Sequence, residues 1–238
     1  MTEFVLVPGA WLGSWVWKRV IPKLEEQGHT VWPVTLTGMG ERVHLASKSV
    51  GVETAIQDVL NVIDYNDLND VVLVGHSFAG KVVAAVADRA PEKVSLLLYL
   101  DAFRPEKVKT PQGSFSPAEF SPPPDALAIP LTGEILDLIG KDVSGAYREW
   151  LLSKATPWPL RHMTDPVTLS ENFDSIRSAY IFCTAGGDNV EEILKGKLDG
   201  PYKVIEGGHY PMITKPGELA EDMLSLSREA GGAALKKN

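Results

Sequence analysis

Residues 71–80 read VVLVGHSFAG, and this stretch carries the strongest fold signal in the chain. A continuous apolar run ends at Gly75, and a run rich in small residues begins immediately after Ser77. A strand, a tight turn around a serine and a helix, in this order, are typical of a nucleophile elbow. Ala79 stands where the usual G-x-S-x-G pattern has its last glycine, which is a mild departure because alanine is also small. The stretch therefore predicts Ser77 as a nucleophile exposed above a sheet.

Strand and helix patterns alternate on both sides of this elbow. The predicted strands are continuous apolar runs, as expected where a sheet is buried on both faces: Phe4–Val7, Thr30–Val34, Val71–Val74, Val94–Leu100, Ser178–Cys183 and Tyr202–Ile205. The predicted helices are Ser14–Gln27, Val52–Tyr65, Ala79–Arg89, Val190–Lys197 and Glu218–Ala230. This alternation predicts an α/β fold with a mostly parallel sheet and helices on both faces.

The alternation is interrupted between Phe103 and Asn172, where 10 of the 17 prolines lie. A structureless loop of that length is implausible in a compact domain, and short helical patterns occur at Gly133–Ile139 and Ala146–Ser153. We therefore predict a helical cap at 103–172, inserted into one core formed by 1–102 and 173–238. Such a cap would cover the carboxyl ends of the strands, where open α/β sheets bind ligands.

Composition excludes several classes of protein. The 238 residues carry a net charge of −8 and are 44% hydrophobic, so a globular domain without a nucleic-acid or anionic-membrane partner is expected. Cys183 is the single cysteine, which rules out an intrachain disulfide. The chain shows neither a signal-peptide pattern nor an apolar run of membrane-spanning length. We expect a cytoplasmic protein with a small-molecule partner.

A serine nucleophile needs a base, and the chain offers five histidines: His29, His44, His76, His162 and His209. His209 lies in the glycine-rich loop after the last predicted strand, where α/β hydrolases carry their base, and we predict that role for it. His76 is expected to pack or hydrogen-bond beside the nucleophile. His44 and His162 are loop candidates for contact with substrate.

The acid that orients His209 is predicted to follow the strand Ser178–Cys183. Asp188 stands in that loop, where it would fix the imidazole tautomer. Asp101, which directly follows the strand Val94–Leu100, is the alternative acid.

Acyl transfer also needs donors for the oxyanion that develops. The main-chain N–H of Phe78 and that of Ala10, in the loop after the first strand, are the predicted pair. The candidate substrate pocket consists of Gly9, Trp11, Phe103, Trp150, Trp158, Met163, Tyr210 and Met212. Each of these residues could equally well pack in the core without touching substrate. No metal-binding motif is present, and no cofactor or metal is expected.

Four segments resemble one known family. Residues 4–17 (FVLVPGAWLGSWVW), 75–80 (GHSFAG), 208–212 (GHYPM) and 215–220 (KPGELA) are similar to the plant methylesterase and hydroxynitrile lyase family and its bacterial esterase relatives. The resemblance implies a six-stranded α/β-hydrolase core with a cap, ester hydrolysis without a cofactor, and a homodimer.

The chain departs from this family at several positions. Pro8 stands where the family commonly has histidine, and the stretch from Asp188 to His209 is shorter than in the plant proteins. The family's lyases have threonine at the position of Gly9 and lysine at that of Tyr210, so their cyanide-binding groups are missing here.

The sequence therefore predicts a serine carboxylesterase for small to medium apolar esters, with methyl esters and lactones among the candidates. A ligand-binding receptor on the same fold is one alternative. A non-hydrolytic enzyme, such as a hydroxynitrile lyase or a cofactor-free oxygenase, is another.

Overall fold

The structure is a computed structural model that describes residues 1–102, 104–105, 126–184, 198 and 200–234. Its strands are β1 (Glu3–Val7), β2 (Thr30–Pro33), β3 (Val71–His76), β4 (Val94–Leu100), β5 (Ala128–Ile129), β6 (Trp158–Pro159), β7 (Ser178–Thr184) and β8 (Tyr202–Glu206). Its α-helices are α1 (Ile21–Glu25), α2 (Val52–Tyr65), α3 (Ala79–Arg89), α4 (Gly133–Ile139), α5 (Gly145–Lys154), α6 (Leu160–Thr164), α7 (Pro211–Thr214) and α8 (Pro216–Ala234). Short 3-10 helices occupy 14–19, 40–45, 91–93 and 171–175.

Six strands form one parallel sheet in the order β2-β1-β3-β4-β7-β8. The central strands β1, β3 and β4 consist mainly of fully buried apolar residues, which explains their continuous hydrophobic pattern. Because these three strands are neighbours and parallel, the loops at their carboxyl ends lie side by side. These loops begin at Pro8, Ser77 and Asp101. The sheet thus gathers the predicted nucleophile, one predicted acid and one predicted oxyanion loop at a single edge.

The elbow helix α3 packs unusually close to the strand that precedes it. A Cβ on Gly75 would lie only 2.4 Å from Val83 Cγ2 and 3.0 Å from the carbonyl oxygen of Ala79. Alanines also fill much of α3, so it is buried on most sides. Small residues around the serine therefore serve close strand–helix packing, as the sequence predicts.

The predicted extent of the first helix, Ser14–Gln27, is wrong. Residues 14–27 do not form a single α-helix: a 3-10 helix covers Ser14–Arg19, and α1 covers only Ile21–Glu25. Pro22 explains the break, because it has no N–H with which to continue a helix from the preceding turn. It instead occupies the first turn of α1, where an N–H would have no helical partner.

Other predictions of secondary structure are confirmed. The observed bounds of α2, α3, α4 and β4 coincide with those predicted, and the α/β class with a six-stranded sheet is observed. The predicted helix Val190–Lys197 lies outside the described residues. None of the helices in the described part of the chain has the length and hydrophobicity needed to cross a bilayer.

The described part of the predicted cap contains α4, α5, α6 and the small antiparallel pair β5–β6. It is tied to the loop after β1, because Trp11 Nε1 donates to the carbonyl of Ile129 (2.9 Å) and the N–H of Thr156 donates to that of Trp11 (3.0 Å). Residues 103 and 106–125 are not described, so the boundaries of the cap at Phe103 and Asn172 stay a prediction.

Candidate active site

Ser77 occupies the strained turn between β3 and α3. Its φ is +56°, a backbone conformation that residues other than glycine rarely adopt. Two main-chain hydrogen bonds hold this turn: the N–H of Ser77 donates to Leu100 (3.0 Å), and the N–H of Gly80 donates to Ser77 (3.0 Å). Strained residues of this kind persist only where the surrounding structure fixes them, and they are concentrated at active sites.

His209 lies in the loop between β8 and α7, and both polar groups of its main chain are bonded. Its N–H donates to the carbonyl of Ile139 at the end of α4 (3.2 Å). Its carbonyl accepts a hydrogen bond from Nε2 of His76 (2.8 Å), the residue next to the nucleophile. The His76 and His209 rings are 4.6 Å apart. The predicted base is thus held beside the elbow.

Asp101 provides the carboxylate that contacts His209. His209 Nδ1 donates to Asp101 Oδ2 at 2.5 Å, and the N–H of Cys183 donates to Oδ1 at 3.0 Å. The N–H of Asp101 in turn donates to the carbonyl of Ile181 at 2.7 Å, across the β4–β7 pair. Like Ser77, Asp101 has a positive φ (+42°), so both residues follow their strands through a sharp change of direction.

The electrostatics of Asp101 favour its ionised form. Burial alone would raise its pKa, but the hydrogen bonds from His209 and Cys183 and the nearby imidazoles outweigh that cost and lower the pKa below its usual value. An ionised carboxylate only accepts hydrogen bonds, so Nδ1 of His209 carries the proton. Nε2 is then the basic nitrogen, the tautomer that a general base for serine needs.

Two residues predicted for the site lie outside the described residues. These are Asp188, the preferred acid, and Phe103, a pocket candidate. The role of each stays a prediction. Within the described ranges, the carboxylate bonded to His209 is the alternative acid, Asp101.

The loop after β1 presses against the elbow at Gly9. A Cβ there would lie 2.5 Å from Nδ1 of His76 and 3.1 Å from Cβ of Ser77, so only glycine fits without displacement. Among the described residues, no main-chain acceptor pairs with the N–H of Ala10 or of Phe78. The role of these two N–H groups as oxyanion donors stays a prediction.

An aromatic cluster connects the elbow to the inserted segment. The ring of Phe78 lies 5.0 Å from that of Trp158, which meets Trp11 edge-on at 5.6 Å. The ring of His162, in α6, stacks on the ring of Phe78, with the centroids 5.8 Å apart and the planes inclined by 13°. All four of these side chains are buried, so the cluster places apolar groups beside the elbow.

The remaining pocket candidates have different surroundings. Trp150 meets Trp15 edge-on at 5.0 Å, and Lys18 lies over its ring at 4.3 Å, so it joins α5 to the first 3-10 helix. Tyr210 is buried against His209 (ring centroids 5.3 Å apart). Met212 is fully buried in α7, and Met163 is half-buried in α6. Contact of these residues with substrate stays a prediction.

Two polar residues near Phe78, His162 and Lys81, have surroundings that the sequence did not predict. His162, expected in a loop, lies fully buried in α6 with neither ring nitrogen bonded among the described residues. Burial, followed by the charge of Lys81, lowers its pKa to about 4. Lys81 in α3 donates through Nζ to the carbonyls of Met163 (2.9 Å) and Asp165 (3.2 Å), and burial lowers its pKa to about 8. The sequence signal that could have pointed to Lys81 is the presence of a lysine within the run of small residues in α3.

No group of three or more potential metal ligands is clustered within the part of the chain that the structure describes. Metal binding therefore has no candidate residues there.

Comparison with known proteins defines the family. The model of the alpha/beta hydrolase family matches residues 4–222. The chain belongs to this family. It is 32% identical to a carbendazim hydrolyzing esterase of Nocardioides sp. (strain SG-4G), over 95% of this chain and 100% of that protein. It is also 36% identical to an alpha-hydroxynitrile lyase of Arabidopsis thaliana, over 95% of this chain and 97% of the lyase.

A solved structure agrees with the fold. The crystal structure of an Arabidopsis methylesterase superposes with a TM-score of 0.77 at 22% identity, covering 94% of this chain and 98% of that one. The resemblance to methylesterases, hydroxynitrile lyases and bacterial esterases is thus confirmed. Named esterases among the relatives assign this α/β hydrolase to the carboxylic ester hydrolases.

Proposed function

We propose that this α/β hydrolase is a serine carboxylesterase whose triad is Ser77, His209 and Asp101. The hydrogen bond between His209 Nδ1 and Asp101 Oδ2 carries the proposal, because it joins a base to an acid directly beside the elbow. It favours Asp101 over Asp188, the acid preferred from sequence. The N–H of Cys183 on the second oxygen holds the Asp101 carboxylate in place for this role.

The first half of the reaction forms an acyl-enzyme. Ser77 Oγ attacks the ester carbonyl carbon while His209 Nε2 takes the hydroxyl proton. The negative charge on the former carbonyl oxygen is stabilised by the N–H groups of Phe78 and Ala10. The tetrahedral intermediate then collapses, the C–O bond to the alcohol breaks, and His209 returns its proton to the leaving alkoxide.

The second half releases the acid. Water loses a proton to His209 Nε2 and attacks the acyl carbon, and the returning proton restores the Ser77 hydroxyl as the carboxylic acid departs. In both halves the ionised Asp101 stabilises the imidazolium that forms on His209. The same arrangement of His209 and Asp101 therefore supports proton transfer in both acylation and deacylation.

The aromatic cluster favours apolar esters as substrates. Phe78, Trp11 and Trp158 bring apolar surface next to the elbow. Small to medium esters, methyl esters included, are the proposed class. Carbendazim, a substrate named for a relative, is a useful methyl carbamate probe of the same chemistry.

Hydrolysis of p-nitrophenyl esters from acetate to octanoate tests the proposal. Wild type, Ser77→Ala and Ser47→Ala are compared, the last as a matched control because Ser47 is exposed and its hydroxyl contacts that of Ser49, away from the site. We expect turnover by wild type and Ser47→Ala, and a loss of at least about 10⁴-fold in kcat for Ser77→Ala. Thermal unfolding confirms that both variants are folded.

Three outcomes would contradict the proposal. Activity retained in folded Ser77→Ala would remove the serine mechanism. Ligand binding without turnover of any ester, including methyl esters and carbendazim, would favour the receptor alternative. Cyanide release from a hydroxynitrile without ester hydrolysis would favour the lyase alternative.

A further inference from the structure

His76 is a fully buried histidine, and its hydrogen-bond partner among the described residues is the main chain of the catalytic base. Its Nε2 lies 2.8 Å from the carbonyl oxygen of His209, 133 residues away in sequence. A carbonyl only accepts hydrogen bonds, so Nε2 carries the proton. Burial, with the nearby charge of His209, lowers the pKa of His76 to about 3, which keeps this imidazole neutral with one proton.

The surroundings of His76 leave its ring no freedom to turn. Gly9 closes its Nδ1 edge, where an added Cβ would come within 2.5 Å. Trp17 lies edge-on at 6.5 Å, and the ring of Tyr210 is 6.0 Å away. His76 also belongs to β3, whose every residue is buried. Its N–H donor is therefore as rigid as the sheet itself.

This donor helps to hold the loop that carries the base, which is also bonded to the sheet by the N–H of Gly207 donating to the carbonyl of Thr184 (3.0 Å). His209 follows Gly207 and Gly208, and Gly207 has a φ of +157°, so the chain before the base is intrinsically flexible. The N–H of His209 is bonded to Ile139, in the inserted segment. The carbonyl of His209, bonded by His76, ties this residue directly to β3.

We propose that His76 is a positioning residue, which fixes the main chain of His209 through Nε2–H and thereby aims the catalytic imidazole at Ser77. The proposal rests on His209 acting as the base. His76 adjoins Ser77 in the chain, so one rigid residue sets the distance between nucleophile and base. A displacement of about 1 Å between reacting groups lowers rates about 10²-fold.

A matched pair of variants separates the hydrogen bond from packing. His76→Gln keeps an N–H donor at nearly the same reach, and His76→Met has a similar length without any donor. Both lose the imidazole ring, so they share its packing cost. His29→Gln is the control, since His29 packs on Phe4 outside the site. For each, kcat and KM are measured against pH, together with the ¹H NMR signal of the His209 Nδ1 proton and thermal unfolding.

We expect His76→Met to lose about 10- to 100-fold in kcat with KM nearly unchanged. We also expect it to lower the apparent pKa of the acidic limb of kcat/KM and to move or broaden the His209 proton signal, because the bond to Asp101 loosens. His76→Gln and His29→Gln are expected to stay within about threefold of wild type. If kcat is near that of wild type in His76→Gln but low in His76→Met, the loss is due to the missing N–H donor. A packing role would lower kcat in both His76 variants.

Equal losses in His76→Gln and His76→Met, or full activity in His76→Met, would overturn the proposal. The NMR signal keeps this result distinct from a failure of the esterase assignment. The proposal can be tested in this way even if wild type is inactive on every ester. A His209 proton signal that is equal in His76→Gln and His76→Met would contradict positioning by His76. A signal that is altered only in His76→Met would support it.

Discussion

The proposed nucleophile and the proposed acid are placed in two different ways. Ser77 is positioned mainly by its neighbours in sequence, namely the buried strand β3, the close contact allowed by Gly75, and the helix α3, with one further bond to Leu100. Asp101 is positioned by bonds to Ile181, Cys183 and His209, which lie 80 or more residues away. A local motif therefore encodes the nucleophile, whereas the order of strands in the sheet selects the acid.

The elbow and the acid are expected to respond to different kinds of substitution. The elbow is sensitive to volume, because the side chain of Val83 and the carbonyl of Ala79 lie directly against Gly75. The acid is sensitive to charge and hydrogen bonding, because β4 and β7 would stay paired without its carboxylate.

The largest predicted effect is on the acid. Asp101→Asn keeps the shape of the side chain, but its amide no longer stabilises the imidazolium and can favour the wrong tautomer of His209. We expect kcat to fall by about 10⁴-fold with little change in thermal stability. Steady-state kinetics on p-nitrophenyl acetate measure the effect. Asp188→Asn is the comparison, expected within about threefold of wild type, and a reversal of the two results would return the role of acid to Asp188.

The elbow responds through stability. Gly75→Ala would place a methyl group 2.4 Å from Val83 Cγ2 and 3.0 Å from the Ala79 carbonyl, so α3 must shift. We expect a loss of about 1–3 kcal/mol in the free energy of unfolding, measured in urea. Gly217→Ala is the control, because its added Cβ meets nothing closer than Lys23 Cε at 3.9 Å. Equal stability of the two variants would contradict the account of close strand–helix packing.

The smallest predicted effect concerns acid stability next to the elbow. The pKa of His162 is lowered to about 4 from 6.5, so the unfolded chain binds a proton that the folded chain does not between these pH values. Stability is therefore lost as the pH falls from about 6.5 towards 4, by up to about 1.4 kcal/mol per pH unit for this group. His162→Leu should reduce the slope of unfolding free energy against pH in that range. A slope identical to wild type would contradict a buried, neutral His162.

Sequence patterns were sufficient wherever the determinants are local. The extents of α2 and α3 follow from their apolar spacing, and Ser77 follows from the small residues around it. Pro22 carried the information that divides the first predicted helix, but the apolar pattern around it outweighed this signal. The glycines before His209 led to its prediction as the base, a role that stays a proposal.

The contacts of the site that were not foreseen are long-range. Nothing near Asp101 in sequence indicates that Cys183 would donate to it, because that contact depends on β4 pairing with β7. The bond from His76 to His209 depends on where the loop after β8 returns over the sheet. Such contacts follow from topology and register, which a strand-by-strand interpretation of one sequence does not supply.

NMR of the His209 Nδ1 proton tests the central claim most directly, since the signal reports the hydrogen bond between base and acid without needing a substrate. Selectively ¹⁵N-labelled histidine in wild type, Asp101→Asn and Asp188→Asn gives the comparison. The account predicts a strongly downfield Nδ1–H signal that is present in wild type and Asp188→Asn and lost in Asp101→Asn. A signal that survives in Asp101→Asn and is lost in Asp188→Asn would contradict it.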